Sequence, residues 1–107
     1  MINNAHVIYI GFDDVSTDKR YLFNESLIDK NIFFTPKEFE LFFYLLINKN
    51  RWLTIRQVLD AVWFDKKFIS TTVVYVYLGY IRKKIVGSEY EGCIVTSRLN
   101  GIKFIQP

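Results

Sequence analysis

The segment Thr35-Pro36-Lys37-Glu38 constrains this chain more than any other. It carries the full chemistry of a helix start: a hydroxyl at the N-cap, proline at the first helical position and glutamate at the third. The threonine oxygen and the glutamate carboxylate can each satisfy a free backbone N–H. Phe39, Phe42, Phe43, Leu46 and Ile47 then recur at helical spacing and give the helix an apolar face to bury. Asn48-Lys49-Asn50 ends it. The same grammar returns at Thr54-Ile55-Arg56-Gln57, with glutamine in the third position. Val58, Leu59, Val62 and Trp63 supply the apolar face of that short second helix. A loop over 64–69 follows, and Ser70 or Thr71 opens a third helix that runs to Ile85 and is closed by Gly87.

On an ideal wheel, Val74, Leu78, Ile81 and Ile85 fall within about 60° of one another and make the core face. Thr72, Val76, Gly79, Tyr80 and Lys83 point away from it. The chain closes with a hairpin, residues 92–97 against 102–105, turning at Asn100-Gly101, a pair that tolerates positive φ. Ahead of the helices, residues 6–12 are β-branched and aromatic, 13–18 are a polar turn and 20–23 read as a second short strand. Residues 26–29 and 31–34 bracket a tight turn at Lys30 or Asn31. The expected fold is α+β in one domain over 1–107. It has an N-terminal antiparallel sheet (5–34), helices over about 36–48, 54–63 and 70–85, and a C-terminal hairpin (92–106). Two short helices, a loop and a longer helix with a basic end read as a helix-turn-helix. A hairpin beside it reads as a wing.

Bulk properties narrow the function classes. A chain of 107 residues holds one core and not two. Half of its residues are apolar and 18% are aromatic, which excludes a disordered chain. The one cysteine, Cys93, cannot form an internal disulfide, which fits a reducing compartment. It falls in an expected strand and reads as a buried, inert thiol. No run of about 18 apolar residues occurs, and Met1-Ile2-Asn3-Asn4 lacks the basic start and apolar stretch of a signal peptide. His6, the one histidine, sits at the edge of the first expected strand and reads as structural. Asp13-Asp14 reads as a solvated turn. His6 and Cys93 fall short of the ligands a structural zinc site needs, and no glycine-rich phosphate loop is present. The expectation is a non-enzyme without cofactor or metal. The net charge of +3 is unevenly spread: residues 1–65 carry seven basic and nine acidic side chains, residues 66–107 seven basic and two acidic. A basic back half points to a polyanion.

The run from Phe34-Thr35-Pro36-Lys37-Glu38-Phe39-Glu40-Leu41 to Gly101-Ile102-Lys103-Phe104 resembles the OmpR/PhoB-type winged-helix effector domain of bacterial transcription regulators. Between those ends the resemblance rests on Leu53-Thr54-Ile55-Arg56-Gln57-Val58-Leu59, Ala61-Val62-Trp63, Ile81-Arg82-Lys83 and Val95-Thr96-Ser97-Arg98. It implies that the third helix lies in the major groove of double-stranded DNA and that the wing reaches a neighbouring minor groove. It implies phosphate contact at Arg82, and backbone and minor-groove contact at Thr96 and Arg98. It implies that the loop over 64–69, with Lys66 and Lys67, touches RNA polymerase, and that copies bind DNA in pairs or in tandem. A winged helix that begins at a methionine also resembles the ToxR/CadC-like arrangement. That implies a cytoplasmic domain with a membrane helix following it.

Lys83, Lys84 and Lys103 join Arg82 and Arg98 as expected phosphate contacts, and Thr72, Val76 and Tyr80 remain for base reading. Many relatives carry basic residues where this chain has Thr72, Gly79 and Tyr80. Without arginine, the usual guanine reader, three readings of that face stay open. It can meet thymine methyls through apolar contact, or leave most affinity to phosphates. Alternatively, this is a degenerate winged helix acting as a protein-interaction module. Gly79 inside the helix costs roughly 1 kcal/mol relative to alanine; close approach to a partner backbone would explain it, and so would drift. Trp52 and Trp63 are expected in the core, with Tyr77 leaning on it and Tyr75 flanking.

Overall fold

A computed structural model describes residues 17–106. The expected strand over 6–12, His6 and the Asp13-Asp14 pair lie outside the described residues. In chain order the elements are α1 (Thr17–Asp29), α2 (Pro36–Ile47), β1 (Trp52–Leu53), α3 (Ile55–Val62), α4 (Thr72–Lys84), β2 (Ile94–Ser97) and β3 (Gly101–Phe104). The strands form one antiparallel sheet in the order β1-β3-β2. The architecture is α+β, three helices followed by a hairpin as the sequence implies, with α1 in front. Among the described residues no helix is long and apolar enough to cross a membrane.

The helix starts are made by the residues that announce them. At α2 the Glu38 N–H donates to Thr35 Oγ1 at 3.4 Å, and the Thr35 N–H donates to Glu38 Oε1 at 2.9 Å. At α3 the Gln57 N–H donates to Thr54 Oγ1 at 3.0 Å, and the Thr54 N–H to Gln57 Oε1 at 2.8 Å. At α4 Ser70 does the work: its Oγ accepts from the Thr72 N–H at 3.1 Å, while Thr71 makes no side-chain cap. Asn48 closes α2, and its Nδ2 donates to the Tyr44 carbonyl at 3.0 Å. Each N-terminal cap is worth about 1 kcal/mol.

One core holds these pieces together. α2 contributes Leu41, Phe42, Tyr44 and Leu45, α3 contributes Val58, Leu59 and Val62, and α4 contributes Val74, Leu78 and Ile81. Leu53, Ile94, Ile102 and Phe104 bring in the inner face of the sheet. Phe42 lies at the junction, with ring centroids 5.1 Å from Phe34, 5.2 Å from Tyr90, 5.4 Å from Phe104 and 5.9 Å from Phe23. Asn50 fastens the end of the chain: its N–H donates to the Phe104 carbonyl at 2.7 Å, and its side chain pairs with the backbone of Gln106.

Three expectations are corrected. Residues 20–23 and 26–29 are not strands of an N-terminal sheet; they belong to α1. Phe23 and Leu27 stand four apart on one helical face and bury there. The tight turn exists, but it is a helix end. Asn31 takes φ 62°, its N–H donates to the Ile28 carbonyl and the Ile32 N–H to the Leu27 carbonyl. That is a Schellman motif, completed by Leu27 and Ile32 burying in the same core. Residues 31–34 form no strand either. Second, the hairpin does not turn on the Asn100-Gly101 pair. Ser97 pairs with Gly101, which leaves residues 98–100 in the loop, and only Gly101, at φ 104°, takes positive φ there. Ser97 Oγ accepts from the N–H groups of both Leu99 and Asn100 at 3.3 Å, which tightens the turn without a positive φ at Asn100. Third, Trp52 is exposed on the outer face of β1, whereas Trp63 is buried.

One buried charge crosses the fold. Glu38 is 4% exposed and pairs with Lys84 Nζ at 2.6 Å. Burial pushes its carboxyl up, but the Lys84 ammonium and the Thr35 N–H outweigh that and hold it below the ordinary glutamate value. A lowered carboxyl pKa contributes stability above the unfolded value of about 4.5 and loses it as pH falls through the folded value. Lys84→Ala is expected to cost about 1–2 kcal/mol at neutral pH, since the lysine end is open to solvent, and to flatten the loss of stability below about pH 4.5. Urea melts across pH test both; a variant as acid-labile as the parent would contradict the assignment. Gly101→Ala is expected to lose more than about 2 kcal/mol, because its positive φ is strained for alanine and the new Cβ would collide with the Leu53 carbonyl. An unchanged melting midpoint would refute this.

Candidate nucleic-acid interface

Packing decides which side of α4 is free. Val74, Leu78, Ile81 and Ile85 are wholly buried, so the opposite side faces outward. Thr72 and Lys83 are exposed there, with Val76 at 42% and Tyr80 at 46% exposure, and Gly79 is half-buried among them. Tyr75, expected to flank the core, is exposed at one edge of this side. Tyr80 does not swing free. Its ring stands edge-on to Tyr77 at 5.5 Å, and Tyr77 stands edge-on to buried Trp63 at 5.2 Å. This aromatic ladder runs from the C-cap of α3 to the free face of α4 and gives Tyr80 a backing.

The three cations that end α4 have separate placements. Arg82 turns toward the hairpin, where Nη2 donates to the Ile94 carbonyl at 3.1 Å. Lys84 turns the other way, to Glu38. Lys83 makes no hydrogen bond or ion pair among the described residues and stands on the free face. Lys84, expected among the phosphate contacts, is thus engaged at its ammonium by the buried carboxylate of Glu38. No sequence-local pattern announces either tether, because Ile94 lies 12 residues from Arg82 and Glu38 lies 46 from Lys84.

The hairpin extends this surface. Thr96 is exposed on β2, and Arg98, Leu99 and Asn100 form the exposed tip. Lys103 sits on the outer face of β3, paired across the sheet with Trp52 and Val95, and its Nζ lies 5.5 Å from the Trp52 ring centroid. Strand alternation buries Leu53 and turns Trp52 outward, where that cation–π contact gives its ring a partner. Neither α4 nor the segment 94–104 contains an acidic residue. The nearest carboxylates in sequence are engaged: Glu89 pairs with Lys30 at 3.5 Å, and Glu91 accepts from the Gly87 N–H at 2.7 Å. Cys93 lies just before β2 and is half-buried. Burial, with Glu89 nearby, pushes its thiol up, which disfavours the reactive thiolate.

The loop over 64–69 forms a separate surface. Lys66 and Lys67 are exposed, as are Phe64 and Phe68, the latter entirely so and at φ 58°. The lysines here are legible in the sequence as candidate contacts, whereas the exposure of the phenylalanines is not, nor is that of Leu99, which is 95% exposed at the hairpin tip. The signal was apolar residues amid turn formers, which composition alone does not separate from core.

Residues 29–104 match the family described as "Transcriptional regulatory protein, C terminal". The chain belongs to this family. The uncharacterized transcriptional regulatory protein YkoG of Bacillus subtilis is 44% identical over 57 residues, 53% of this chain and 25% of YkoG. The response regulator ArlR of Staphylococcus aureus is 33% identical over 85 residues, 70% of this chain and 39% of ArlR. The chain thus spans a quarter to two-fifths of the length of these relatives. Among solved structures, the C-terminal domain of the nisin resistance regulator NsrR, a lantibiotic response regulator, superposes with a TM-score of 0.61 at 25% identity, over 71% of this chain and 77% of that one. The DNA-binding domain of Escherichia coli CadC superposes with a TM-score of 0.60 over 69% of this chain and 70% of that one; at 20% identity it shows shared fold. As a member of this family the chain is a transcription-regulator domain, and α1 lies mostly ahead of the matched region.

The Arg82 bridge is expected to hold the hairpin to α4. Arg82→Ala should speed amide exchange in β2 and β3 while lowering global stability by about 1 kcal/mol. Hairpin exchange rates equal to the parent's would show that the bridge restrains nothing.

Proposed function

We propose that this chain binds double-stranded DNA as the effector domain of a bacterial transcription regulator, with α4 in the major groove and the β2–β3 wing at a neighbouring minor groove. One observation carries the reading. The free side of α4 and the wing are fastened to each other by the bond from Arg82 to Ile94, and no carboxylate belongs to either element. A major groove about 12 Å wide admits such a helix. Lys83 and Arg98 are the free cations for phosphate and minor-groove contact. Arg82 keeps further guanidinium N–H groups for a phosphate while bonded to Ile94. Lys103 and Thr96 contribute from the strands. Thr72, Val76 and Tyr80 face the base edges. Paired or tandem copies on adjacent half-sites follow from the same mode of docking, and the loop with Lys66, Lys67, Phe64 and Phe68 is the surface for RNA polymerase.

The competing reading makes α4 a protein-docking face, and the exposure of Tyr75 and Tyr80 favours it. Salt separates the two. Binding of the chain to duplex DNA should weaken with salt in proportion to the phosphates it neutralises. Arg98→Ala and Lys83→Ala should each weaken binding and flatten that slope by about one unit. Two variants that match the parent at every salt concentration would remove these residues from the interface. Failure to bind any duplex at low salt would favour the protein reading.

A further inference from the structure

The free side of α4 has an unusual chemical make-up for a helix that reads bases. It has no asparagine, glutamine, aspartate or glutamate anywhere along its length. Its one arginine is directed to the Ile94 carbonyl at the helix edge, and Lys84 is directed to Glu38. Of the side chains that pair with base edges in the major groove, Lys83 alone stands on this side of the helix, and nothing there offers the amide pairing that reads adenine. What faces outward is Lys83 with Val76, the methyl and hydroxyl of Thr72, the buttressed ring of Tyr80, and Gly79. Gly79 is the instructive residue. It sits in mid-helix with no positive φ to demand glycine, and a Cβ built there meets nothing within 4 Å. The fold therefore gives no reason to forgo alanine, which a helix prefers by about 1 kcal/mol. On the helix surface its neighbours three and four positions away are Tyr75, Val76, Arg82 and Lys83. Glycine thus leaves a shallow notch in the outward face among those four side chains, two apolar and two cationic.

We infer that α4 reads thymine by its C5-methyl group, with Gly79 providing the notch and Val76 and Tyr75 its apolar neighbours on the helix surface, so that the protein selects A·T pairs in the major groove. This rests on the DNA-binding reading above. Thymine is the base that presents a methyl group in the major groove, and it is recognised there by apolar contact. Each methyl transferred from water to such a site is worth about 0.8 kcal/mol, or about a four-fold change in affinity. A side chain at Gly79 would fill the notch and hold the helix off the base.

The test uses the 107-residue chain and a duplex pool enriched from random sequence by binding to it. The pool is then copied with deoxyuridine in place of thymidine, which deletes the methyl and keeps the pairing edge. The expected result is a pool rich in A·T steps that loses about four-fold in affinity for each read methyl removed. Gly79→Ala is expected to raise the melting temperature, bind the thymine pool more weakly than the parent does and discriminate less between thymine and uracil. Opposite signs for stability and binding rule out a folding defect as the cause. If the two pools bind equally well, or the enriched pool is G·C-rich, while the salt slope stays steep, thymine readout is overturned and DNA binding stands. If no duplex binds at low salt, DNA binding fails and thymine readout with it.

Discussion

Burial of the inner face of α4 is the constraint on which the rest of the structure depends. Val74, Leu78, Ile81 and Ile85 have no exposed surface to speak of, and each buried aliphatic side chain of this size is worth about 1.5–3 kcal/mol. That sum fixes the rotation of the helix about its own axis. A different rotation would expose those side chains and bury Lys83. The outward face is therefore the complement of a packing decision, and its side chains are free because the core has no use for them. α2 supplies the floor for this packing, and its own position is set by reciprocal caps at one end and Asn48 at the other.

Electrostatics then divides labour among groups that look alike in the sequence. Arg82, Lys83 and Lys84 are consecutive, yet helical geometry sends them in three directions about 100° apart. One ties the helix to the wing, one meets the outward face, and one neutralises a carboxylate that would otherwise be buried without a partner. The tether at Ile94 converts two elements into one surface, and the tether at Glu38 joins the far end of α4 to the start of α2. The wing is also stiff for local reasons. Gly101 lets its backbone pass close against the Leu53 carbonyl, and Ser97 gathers two N–H groups of the loop.

Much of this was legible in the residues. The capping boxes at Thr35 and Thr54 are local chemistry, and both form as written. The core stripe of α4 follows from periodicity alone. The same logic failed over residues 20–29. Tyr21, Leu22 and Ile28 are apolar but exposed, so they blur the stripe made by Phe23 and Leu27, and short aromatic runs then resemble strands. What holds that segment helical is distant in sequence: Phe23 stacks on Phe42 at 5.9 Å and meets Phe43 at 5.6 Å. Trp52 was misplaced for a related reason. Its partner is a lysine ammonium across the sheet, and a preference for burial is no guide to a cation–π contact. At the candidate interface the outward residues of α4 were readable from the wheel, whereas the commitments of Arg82 and Lys84 were not, since their partners are set by tertiary packing.

The central claim is that the outward side of α4 and the hairpin tip make one DNA-facing surface. The most direct measurement is an amide chemical-shift map of the isotope-labelled chain titrated with random-sequence duplex DNA at low salt. The account predicts perturbations concentrated at Thr72, Val76, Gly79, Tyr80 and Lys83 together with Thr96, Arg98 and Leu99, with α1 left quiet. A map centred on α1 or α2 with both α4 and the hairpin silent would contradict it.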